Sequence, residues 1–293
     1  MEKIKFLSSG LKCSALLYRP DRVEGKHPAI VMAHGLSAVK EMYLPFFAEH
    51  WAKRGFVVLL FDYRFFGESP GEPRQRLWPD EQLLDYKCAT NYLLKLDYVD
   101  PDSICVWGTS FSGAHVITLL ATTDLFCCGV AQLPATNAMD LAIRYYGGLT
   151  ALYMMSRALL GNYSSGEPST VTWPVVSEEM AAVVPTEEAY EFLSEAEELF
   201  PTYKNMVTLD SVPKIISYVP EAYAPYVEKP IKIIIGGEKD ETTPIDIAKR
   251  TYEKIQVEKE LVVLPTGHFG MVLPPWNEKA AEEALKWFKQ YTE

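Results

Sequence analysis

Long apolar runs are missing from this 293-residue sequence. A transmembrane helix needs about 18 or more successive apolar residues, and no stretch comes near that length. The first ten residues, MEKIKFLSSG, contain no apolar stretch longer than two residues, so they predict neither a secretory signal nor a membrane anchor. We therefore expect a cytoplasmic protein that does not have a membrane as its partner.

Basic residues are also scarce. Lysine and arginine number 28 against 39 aspartate and glutamate residues, which gives a formal net charge of -11. A protein that binds nucleic acid duplexes or anionic membrane surfaces needs a basic face, so this balance argues against both classes. A small molecule is the expected partner, and a homodimer is left open.

Metal-ligand spacing is absent as well. The chain has five histidines but no HExxH, and five cysteines but no CxxC. The cysteines are Cys13, Cys88, Cys105, Cys127 and Cys128. They are predicted to be reduced, buried thiols, and a ring between the adjacent Cys127 and Cys128 would be strained. We expect neither a metal site nor a cofactor.

What the sequence does contain is an alternation of short apolar runs with helical patterns. Runs that are apolar on both faces are typical of parallel strands covered by helices. The predicted strands are Pro28–Ala33, Phe56–Tyr63, Ser103–Trp107, Cys127–Leu133, Ile231–Ile235 and Leu261–Leu264. The first ~20 residues predict an antiparallel hairpin at one edge. The fold class is α/β, a mostly parallel central sheet flanked by helices.

Four helices are predicted between or after these strands: Asp80–Leu96, Ser110–Ala121, Pro244–Ile255 and Asn277–Tyr291. The second is apolar nearly all round and is expected to be buried. Asn277 is the expected N-cap of the last helix, and Thr242 and Thr243 are the cap candidates of the helix that starts at Pro244. In the helix Asp80–Leu96, apolar residues recur every four positions, which predicts that they share one apolar face. These residues are Leu84, Cys88, Tyr92 and Leu96.

The segment between about Pro134 and Pro230 breaks this rhythm. It contains no strong strand pattern, it is rich in tyrosine, and it has acidic helical stretches such as Glu187–Glu198. A loop of nearly one hundred residues is implausible in a compact domain. The sequence therefore predicts a core formed by residues 1–134 and 229–293, with an inserted helical cap at 135–228.

Chemistry is indicated where the third strand runs into Gly108-Thr109-Ser110-Phe111-Ser112-Gly113. A strand, a tight turn and a helix in this order form a nucleophile elbow, which lifts a serine hydroxyl above the sheet. Small neighbours, here Gly108 and Gly113, allow the strand and the helix to approach. The segment lacks the lysine of a phosphate-binding P-loop and the GxGxxG of a dinucleotide site. Ser110 is the candidate nucleophile.

A serine nucleophile needs a general base and an acid that orients the base. His268 follows the last predicted strand, and Asp240 follows the strand before it. The order nucleophile, acid, histidine at the ends of successive strands fits the elbow arrangement. Asp240 is preferred as the acid over its neighbours Glu238, Glu241 and Asp246.

Two backbone N–H groups are needed to bind an oxyanion. The expected donors are Phe111, directly after the nucleophile, and Leu36, in the loop after the first central strand. His34 and His115 are interpreted as structural histidines rather than as second bases.

At these residues the sequence resembles an α/β-hydrolase. The matching features are His34-Gly35, Asp62-Tyr63-Arg64-x-x-Gly67-x-Ser69, the elbow, Gly237-x-x-Asp240-x-x-x-Pro244 and Gly267-His268. The stretch HGLSAVKEMYLPFFAEHWAKRGFVVLLFDYRFFGES and the elbow GTSFSGAH resemble the branch of dienelactone-hydrolase-like and polyketide-transferase or thiohydrolase-like proteins. Dienelactone hydrolases carry cysteine at the elbow, so Ser110 favours ester or thioester chemistry.

The resemblance implies a serine esterase or thioesterase that works through an acyl-enzyme, and the aromatic-rich cap suggests a mostly apolar acyl or aryl substrate. Acyl transfer, polyketide thiohydrolysis and carbon–carbon bond hydrolysis use the same three residues and stay open as alternatives. A peptidase or a catalytically silent receptor on the same fold is less favoured.

Overall fold

Eight strands form one central sheet in a computed structural model, which describes residues 1–22, 24–153, 156, 171–179 and 181–293. A separate two-stranded sheet lies within the segment 135–228. The strands are β1 (Glu2–Ser8), β2 (Leu11–Tyr18), β3 (His27–Ala33), β4 (Val57–Phe61), β5 (Val99–Thr109), β6 (Cys128–Gln132), β7 (Thr172–Pro174), β8 (Met206–Thr208), β9 (Ile231–Gly236) and β10 (Lys259–Leu264).

The order across the large sheet is β1-β2-β4-β3-β5-β6-β9-β10. β1 pairs with β2, and β2 with β4, in antiparallel fashion, whereas the remaining neighbours are parallel. The central strands β4, β6 and β9 are buried along their full length, as the two-sided apolar runs require. The predicted α/β fold with a mostly parallel sheet is confirmed, including the hairpin at its N-terminal edge.

Helices cover both faces of the sheet. They are α1 (Leu44–Ala52), α2 (Pro79–Leu93), α3 (Phe111–Thr122), α4 (Ala138–Tyr146), α5 (Glu187–Leu199), α6 (Ser211–Ile216), α7 (Ile245–Lys254) and α8 (Trp276–Thr292), with 3₁₀ turns at Pro220–Tyr226 and Phe269–Val272. On one face Trp51, Trp107 and Phe288 pack α1 and α8 against the sheet. The other face holds a second core under α2 and α3.

The helix α2 exists as predicted but ends at Leu93, and its most buried face is displaced from the predicted one, of which Cys88, Tyr92 and Leu96 pack partly buried against the core. Leu84 is 40% exposed, whereas Tyr86 and Asp85 are completely buried. Asp85 accepts hydrogen bonds from the backbone N–H and the guanidinium of Arg64, and a paired carboxylate can be buried where a free one cannot. This ion pair turns the helix so that a charged residue faces the core, which apolar spacing alone does not reveal.

The start of α8 also differs from the prediction. The helix begins at Trp276, and Asn277 lies inside its first turn rather than at the N-cap position. The Asn277 side chain accepts a hydrogen bond from the Glu278 backbone N–H at 2.8 Å. The cis peptide bond between Pro274 and Pro275 precedes this helix, and Pro275 occupies the cap position.

The segment 135–228 contributes α4, α5, α6 and the first 3₁₀ turn, which agrees with its helical pattern. It also contains the antiparallel pair β7–β8, where the sequence predicts no strand. Part of the predicted cap, namely residues 154–155, 157–170 and 180, lies outside the described residues. Among the helices that are described, none has both the length and the apolar character needed to cross a bilayer.

Candidate active site

Ser110 lies at the sharp turn between β5 and α3. Its backbone has φ 57° and ψ -116°, a conformation that side-chain-bearing residues rarely adopt. The Ser110 N–H donates to the Gln132 carbonyl at 2.8 Å, and the N–H of Ala135 donates to the Ser110 carbonyl at 3.1 Å. These bonds to the end of β6 and the residues after it hold the turn in a strained form. A strained backbone of this kind is typical of a nucleophile elbow.

Small residues around Ser110 are required by close backbone contacts. A Cβ atom at Gly108 would collide with the backbone of Ser112, and one at Gly113 would lie 2.5 Å from the Gln132 carbonyl oxygen. The Ser112 hydroxyl makes short hydrogen bonds to the Tyr63 hydroxyl and to the His34 carbonyl. Ser112 therefore ties the elbow to the loop after β3, a role that its sequence position does not reveal.

His268 and Asp240 meet at the serine, as their positions after β10 and β9 predict. The Ser110 Oγ lies 3.0 Å from His268 Nε2, and His268 Nδ1 lies 3.1 Å from Asp240 Oδ2. Both His268 and Asp240 are buried. A proton on Nδ1 that is donated to Asp240 leaves Nε2 free to accept the serine proton.

Asp240 is held by Thr243, which the sequence marks only as a candidate helix cap. The Thr243 N–H donates to Asp240 Oδ1 at 2.7 Å, and its hydroxyl donates to Oδ2 at 2.9 Å. Burial would raise the pKa of Asp240, but the charge and hydrogen bond of His268 and the two bonds from Thr243 together lower it below its usual value. Asp240 therefore stays a carboxylate in this buried position.

The other acids near Asp240 lie elsewhere. Glu238 and Glu241 are exposed, and the Asp246 carboxylate accepts hydrogen bonds from the Arg144 guanidinium at 2.6 and 2.9 Å. None of these three has a hydrogen bond to His268 among the described residues. The geometry brings Asp240 alone of the four candidates to the histidine.

The two expected oxyanion donors lie on either side of Ser110. Leu36 and Phe111 both line the same cavity as Ser110. In the described part of the chain, neither backbone N–H donates a hydrogen bond, so both remain free for a ligand. Gly35 brings the Leu36 loop close, since a Cβ atom at Gly35 would lie 3.1 Å from Ser110 Cβ.

Two apolar chambers meet at Ser110. Chamber A extends between α4 and α6 and is lined by residues such as Ala138, Leu141, Ala142, Val212 and Ile215. Chamber B extends toward α1 and α5 and is lined by residues such as Met42, Tyr43, Phe192, Leu193 and Phe269. Leu36, Ser110, Val184 and Thr242 belong to both.

The lining of these chambers carries little charge. Of the described residues that line them, none is aspartate, glutamate, lysine or arginine, and chamber B has two histidines, His34 and His268, in its lining. An anionic or cationic group would lose its hydration there without gaining an ion pair. The chambers therefore suit neutral, apolar groups on both sides of the serine.

The sequence comparison agrees with this geometry. The family model described as the alpha/beta hydrolase family matches residues 30–282, which is most of the chain. The chain belongs to the alpha/beta hydrolase family. A relative, the quorum-quenching protein AidA of Acinetobacter baumannii (strain MDR-ZJ06), is 31% identical over 293 residues, which cover 98% of this chain and 94% of AidA.

The branch of this alpha/beta hydrolase is indicated by a further relative. The thiohydrolase aneE of Aspergillus aculeatus (strain ATCC 16872 / CBS 172.66 / WB 5094) is 46% identical over 116 residues, which cover 39% of this chain and 36% of aneE. The predicted resemblance to thiohydrolases is thereby confirmed. A solved structure of DcsB in complex with its substrate analogue has the same fold, with a TM-score of 0.85 at 22% identity and 99% coverage of both chains.

In this alpha/beta hydrolase the segment 135–228 is bonded to the loops that carry His268 and Asp240. The Glu188 carboxylate at the start of α5 accepts a hydrogen bond from the Phe269 N–H at 3.0 Å, and the Phe192 ring stacks on Phe269 at 4.5 Å. The Tyr145 hydroxyl of α4 donates to the Thr242 carbonyl at 2.7 Å. These contacts place α4 and α5 directly over the site, and no local sequence pattern predicts them.

The histidines interpreted as structural lie in the core beside the site. His34 and His115 are almost completely buried. The His115 ring is satisfied in its neutral form, with Nε2 at 2.9 Å from the Gln82 side-chain carbonyl and Nδ1 at 2.7 Å from the Tyr218 hydroxyl. Burial lowers the pKa of His34 to about 4 and that of His115 to about 3. Neither is positioned to accept the serine proton.

These buried histidines predict acid sensitivity of the fold. The unfolded chain binds their protons below pH ~6.5, whereas the folded chain does not until about pH 4 for His34 and about pH 3 for His115. The free energy of unfolding should therefore fall, by roughly 1.4 kcal/mol per pH unit for each histidine, as the pH drops from ~6.5 toward 4. Urea unfolding at several pH values measures this slope, and His115→Gln should reduce it. If the free energy of unfolding fell equally steeply with pH in the unchanged protein and in His115→Gln, His115 would not be a buried, neutral histidine.

Proposed function

We propose that this alpha/beta hydrolase is a serine hydrolase that cleaves an ester or thioester of a neutral, mostly apolar acyl or aryl compound. The observation that carries the proposal is the continuous contact from Ser110 Oγ to His268 Nε2 and from His268 Nδ1 to Asp240. This is the arrangement in which a weakly nucleophilic hydroxyl becomes reactive, because its proton has an immediate acceptor.

The proposed reaction proceeds through an acyl-enzyme. Ser110 Oγ attacks the acyl carbonyl while His268 Nε2 takes the hydroxyl proton, and the Leu36 and Phe111 N–H groups bind the oxyanion. His268 then gives its proton to the leaving alcohol or thiol as the tetrahedral intermediate collapses. Water, deprotonated by His268, hydrolyses the acyl-enzyme. Asp240 keeps the histidine in the productive tautomer and stabilises its charged form in both halves of the reaction.

The substrate class follows from the two chambers. A carbonyl held at Ser110 must direct its acyl part and its leaving group in different directions, and an apolar chamber is available on each side. We infer that segment 135–228 acts as a cap, since α4 and α6 supply much of the lining of chamber A and α5 contributes Phe192 and Leu193 to chamber B. A concave, apolar site of this kind favours a small ester or thioester over an extended peptide.

Acyl transfer is the second candidate. An apolar alcohol or thiol held in one chamber could attack the acyl-enzyme in place of water, because an apolar chamber lies on each side of Ser110. The catalytic residues would be the same. The two reactions are distinguished by adding an alcohol acceptor to the assay and by analysing whether a new ester forms in addition to the free acid.

A panel of p-nitrophenyl esters from acetate to decanoate tests the chambers. Each methylene that is buried contributes about 0.8 kcal/mol, so kcat/KM should rise with chain length until the acyl chamber is full. Ala142→Trp fills chamber A and Ala38→Trp fills chamber B. The variant that fills the acyl chamber should retain acetate turnover within about threefold and lose tenfold or more on decanoate, because about two methylenes are no longer buried.

Ala222→Trp is the matched control for these variants. Ala222 is exposed and lies outside both chambers, so the same substitution there should leave the chain-length profile unchanged. If neither Ala142→Trp nor Ala38→Trp alters the preferred chain length, the chambers do not bind the acyl group and the proposed substrate class is wrong.

A further inference from the structure

Three of the five cysteines come together at the β5–β6 pair, away from Ser110. Cys105 in β5 is the register partner of Cys128 at the start of β6, and Cys127 directly precedes that strand. The Cys105 Sγ lies 3.7 Å from that of Cys127 and 3.5 Å from that of Cys128. The three sulfur atoms all lie within 4.8 Å of one another. The sequence shows only an adjacent pair and a third cysteine 22 residues earlier.

The three thiols differ in their access to solvent. Cys105 and Cys128 are completely buried in the apolar core between the sheet and the helices α1 and α8. Cys127 packs against the same core but is partly exposed. A reagent dissolved in water therefore reaches Cys127 first, and the Cys105 sulfur is in position as the next reactant.

The protonation states of the thiols reinforce this asymmetry. Hydrogen bonding within the thiol cluster, from Cys105 first, lowers the pKa of Cys127, whereas burial raises the pKa of Cys105 and of Cys128 well above the usual value. Of the three sulfurs, the accessible one therefore loses its proton most readily. An accessible thiolate next to a second thiol is the arrangement found in peroxide-reactive cysteine pairs.

We propose that Cys127 and Cys105 form a disulfide when the protein meets a hydroperoxide. The Cys127 thiolate attacks one peroxide oxygen, the O–O bond breaks, hydroxide or alkoxide leaves, and Cys127 becomes a sulfenic acid. The Cys105 sulfur then attacks the Cys127 sulfur, the S–O bond breaks, and the hydroxyl group leaves as water with the Cys105 proton. The two sulfurs lose two electrons in total, and the peroxide gains them.

A disulfide suits this location better than a metal ion does. Three thiolates around an ion would place net negative charge among apolar side chains, where charge is strongly disfavoured. Structural zinc sites also take four ligands, and the described cluster supplies three. The disulfide is uncharged and apolar, so its formation removes the Cys127 charge from the core. The peptide bond holds the Cα atoms of neighbouring Cys127 and Cys128 ~3.8 Å apart, below the ~4.4 Å minimum usual for a disulfide, so a bond between them would be strained.

The inference is independent of the proposed function. Cys105 lies five residues before Ser110 on β5, roughly 17 Å along an extended strand. Ser110→Ala should therefore react with peroxide in the same way as the unchanged protein. A failure of the disulfide proposal can therefore be distinguished from a failure of the proposed ester hydrolysis.

The test is a count of free thiols in the denatured protein before and after treatment with hydrogen peroxide, with the disulfide located by peptide mass spectrometry. The count should fall from five to three, with one Cys105–Cys127 bond, and a thiol reductant should restore five. Cys127→Ser should begin with four thiols and keep all four. Its rate of thiol loss should be at least tenfold below that of the unchanged protein.

Cys88 provides the matched control. It is also partly exposed, but no other sulfur lies within hydrogen-bond distance of it among the described residues. Cys88→Ser should begin with four thiols and fall to two. Loss of Cys88 as fast as Cys127, a Cys127–Cys128 bond, or a count that stays at five would each overturn the proposal. Protection of all three cluster thiols by stoichiometric Cd²⁺, with no disulfide on oxidation, would assign a metal site instead.

Discussion

Replacing Ser110 by alanine is expected to lower kcat for ester hydrolysis by roughly 10⁵-fold or more, which matches losses seen when a triad nucleophile is removed. The reason lies in the geometry at the elbow. The hydroxyl is 3.0 Å from His268 Nε2, and in the described part of the site no second hydroxyl bonds to that nitrogen. The remaining groups could stabilise an oxyanion but could not form the acyl-enzyme.

The fold should survive this substitution, because alanine keeps the Cβ atom that already occupies the strained conformation at φ 57°. Circular dichroism and the thermal midpoint check that point. Ser217→Ala, at an exposed serine of the turn after α6, is the matched control and should retain full activity. A Ser110→Ala protein that kept a tenth of the activity would show that another group is the nucleophile.

Replacing Asp240 by asparagine is expected to lower kcat by about 10⁴-fold, as the corresponding change does in a serine protease triad. An amide that donates to His268 Nδ1 moves the ring proton to Nε2, where it faces Ser110. The histidine can then no longer accept the serine proton. The Thr243 N–H and hydroxyl would also lose a charged acceptor, since both bond to the Asp240 carboxylate.

Asp246→Asn is the matched control for that experiment. Asp246 is on α7 close by in sequence, and its carboxylate binds Arg144 on the surface rather than His268. Its loss should change kcat by less than about twofold, because exposed ion pairs contribute little. Retention of a tenth or more of the activity in Asp240→Asn would mean that a different acid orients the histidine.

The central part of this fold is encoded by local sequence patterns. The strands are short runs that are apolar on both faces, and the elbow is recognisable because the required residue types lie within six positions, from Gly108 to Gly113. The order in which Asp240 and His268 follow later strands places them at the same edge of the sheet as Ser110. Parallel topology then brings together residues that are 158 positions apart, namely Ser110 and His268.

The supporting residues could not be found in this way. Thr243 resembles a helix cap in the sequence, and its bonds to Asp240 depend on where α7 begins. Ser112 takes part in the elbow through Tyr63 and His34, which are 49 and 78 positions away. Such contacts depend on the packing of distant segments and leave no periodic signal.

The structure of segment 135–228 could not be predicted from local sequence patterns either. The strands β7 and β8 have three residues each, which is too short for an alternating pattern to stand out. The chambers arise where α4, α5 and α6 lie over the sheet, and their shape depends on tertiary contacts such as Glu188 with Phe269. The apolar character of the site was predictable from composition, but its division into two chambers was not.

The most direct test of the account is covalent labelling with a fluorophosphonate, followed by intact-mass measurement and peptide mapping. An activated serine displaces fluoride from phosphorus, whereas an ordinary serine does not react. We expect one adduct per chain, located on Ser110, absent in Ser110→Ala and much slower to form in Asp240→Asn. Labelling of a different residue, or hydrolysis of esters by a protein that takes up no label, would contradict the assignment of Ser110 as the nucleophile.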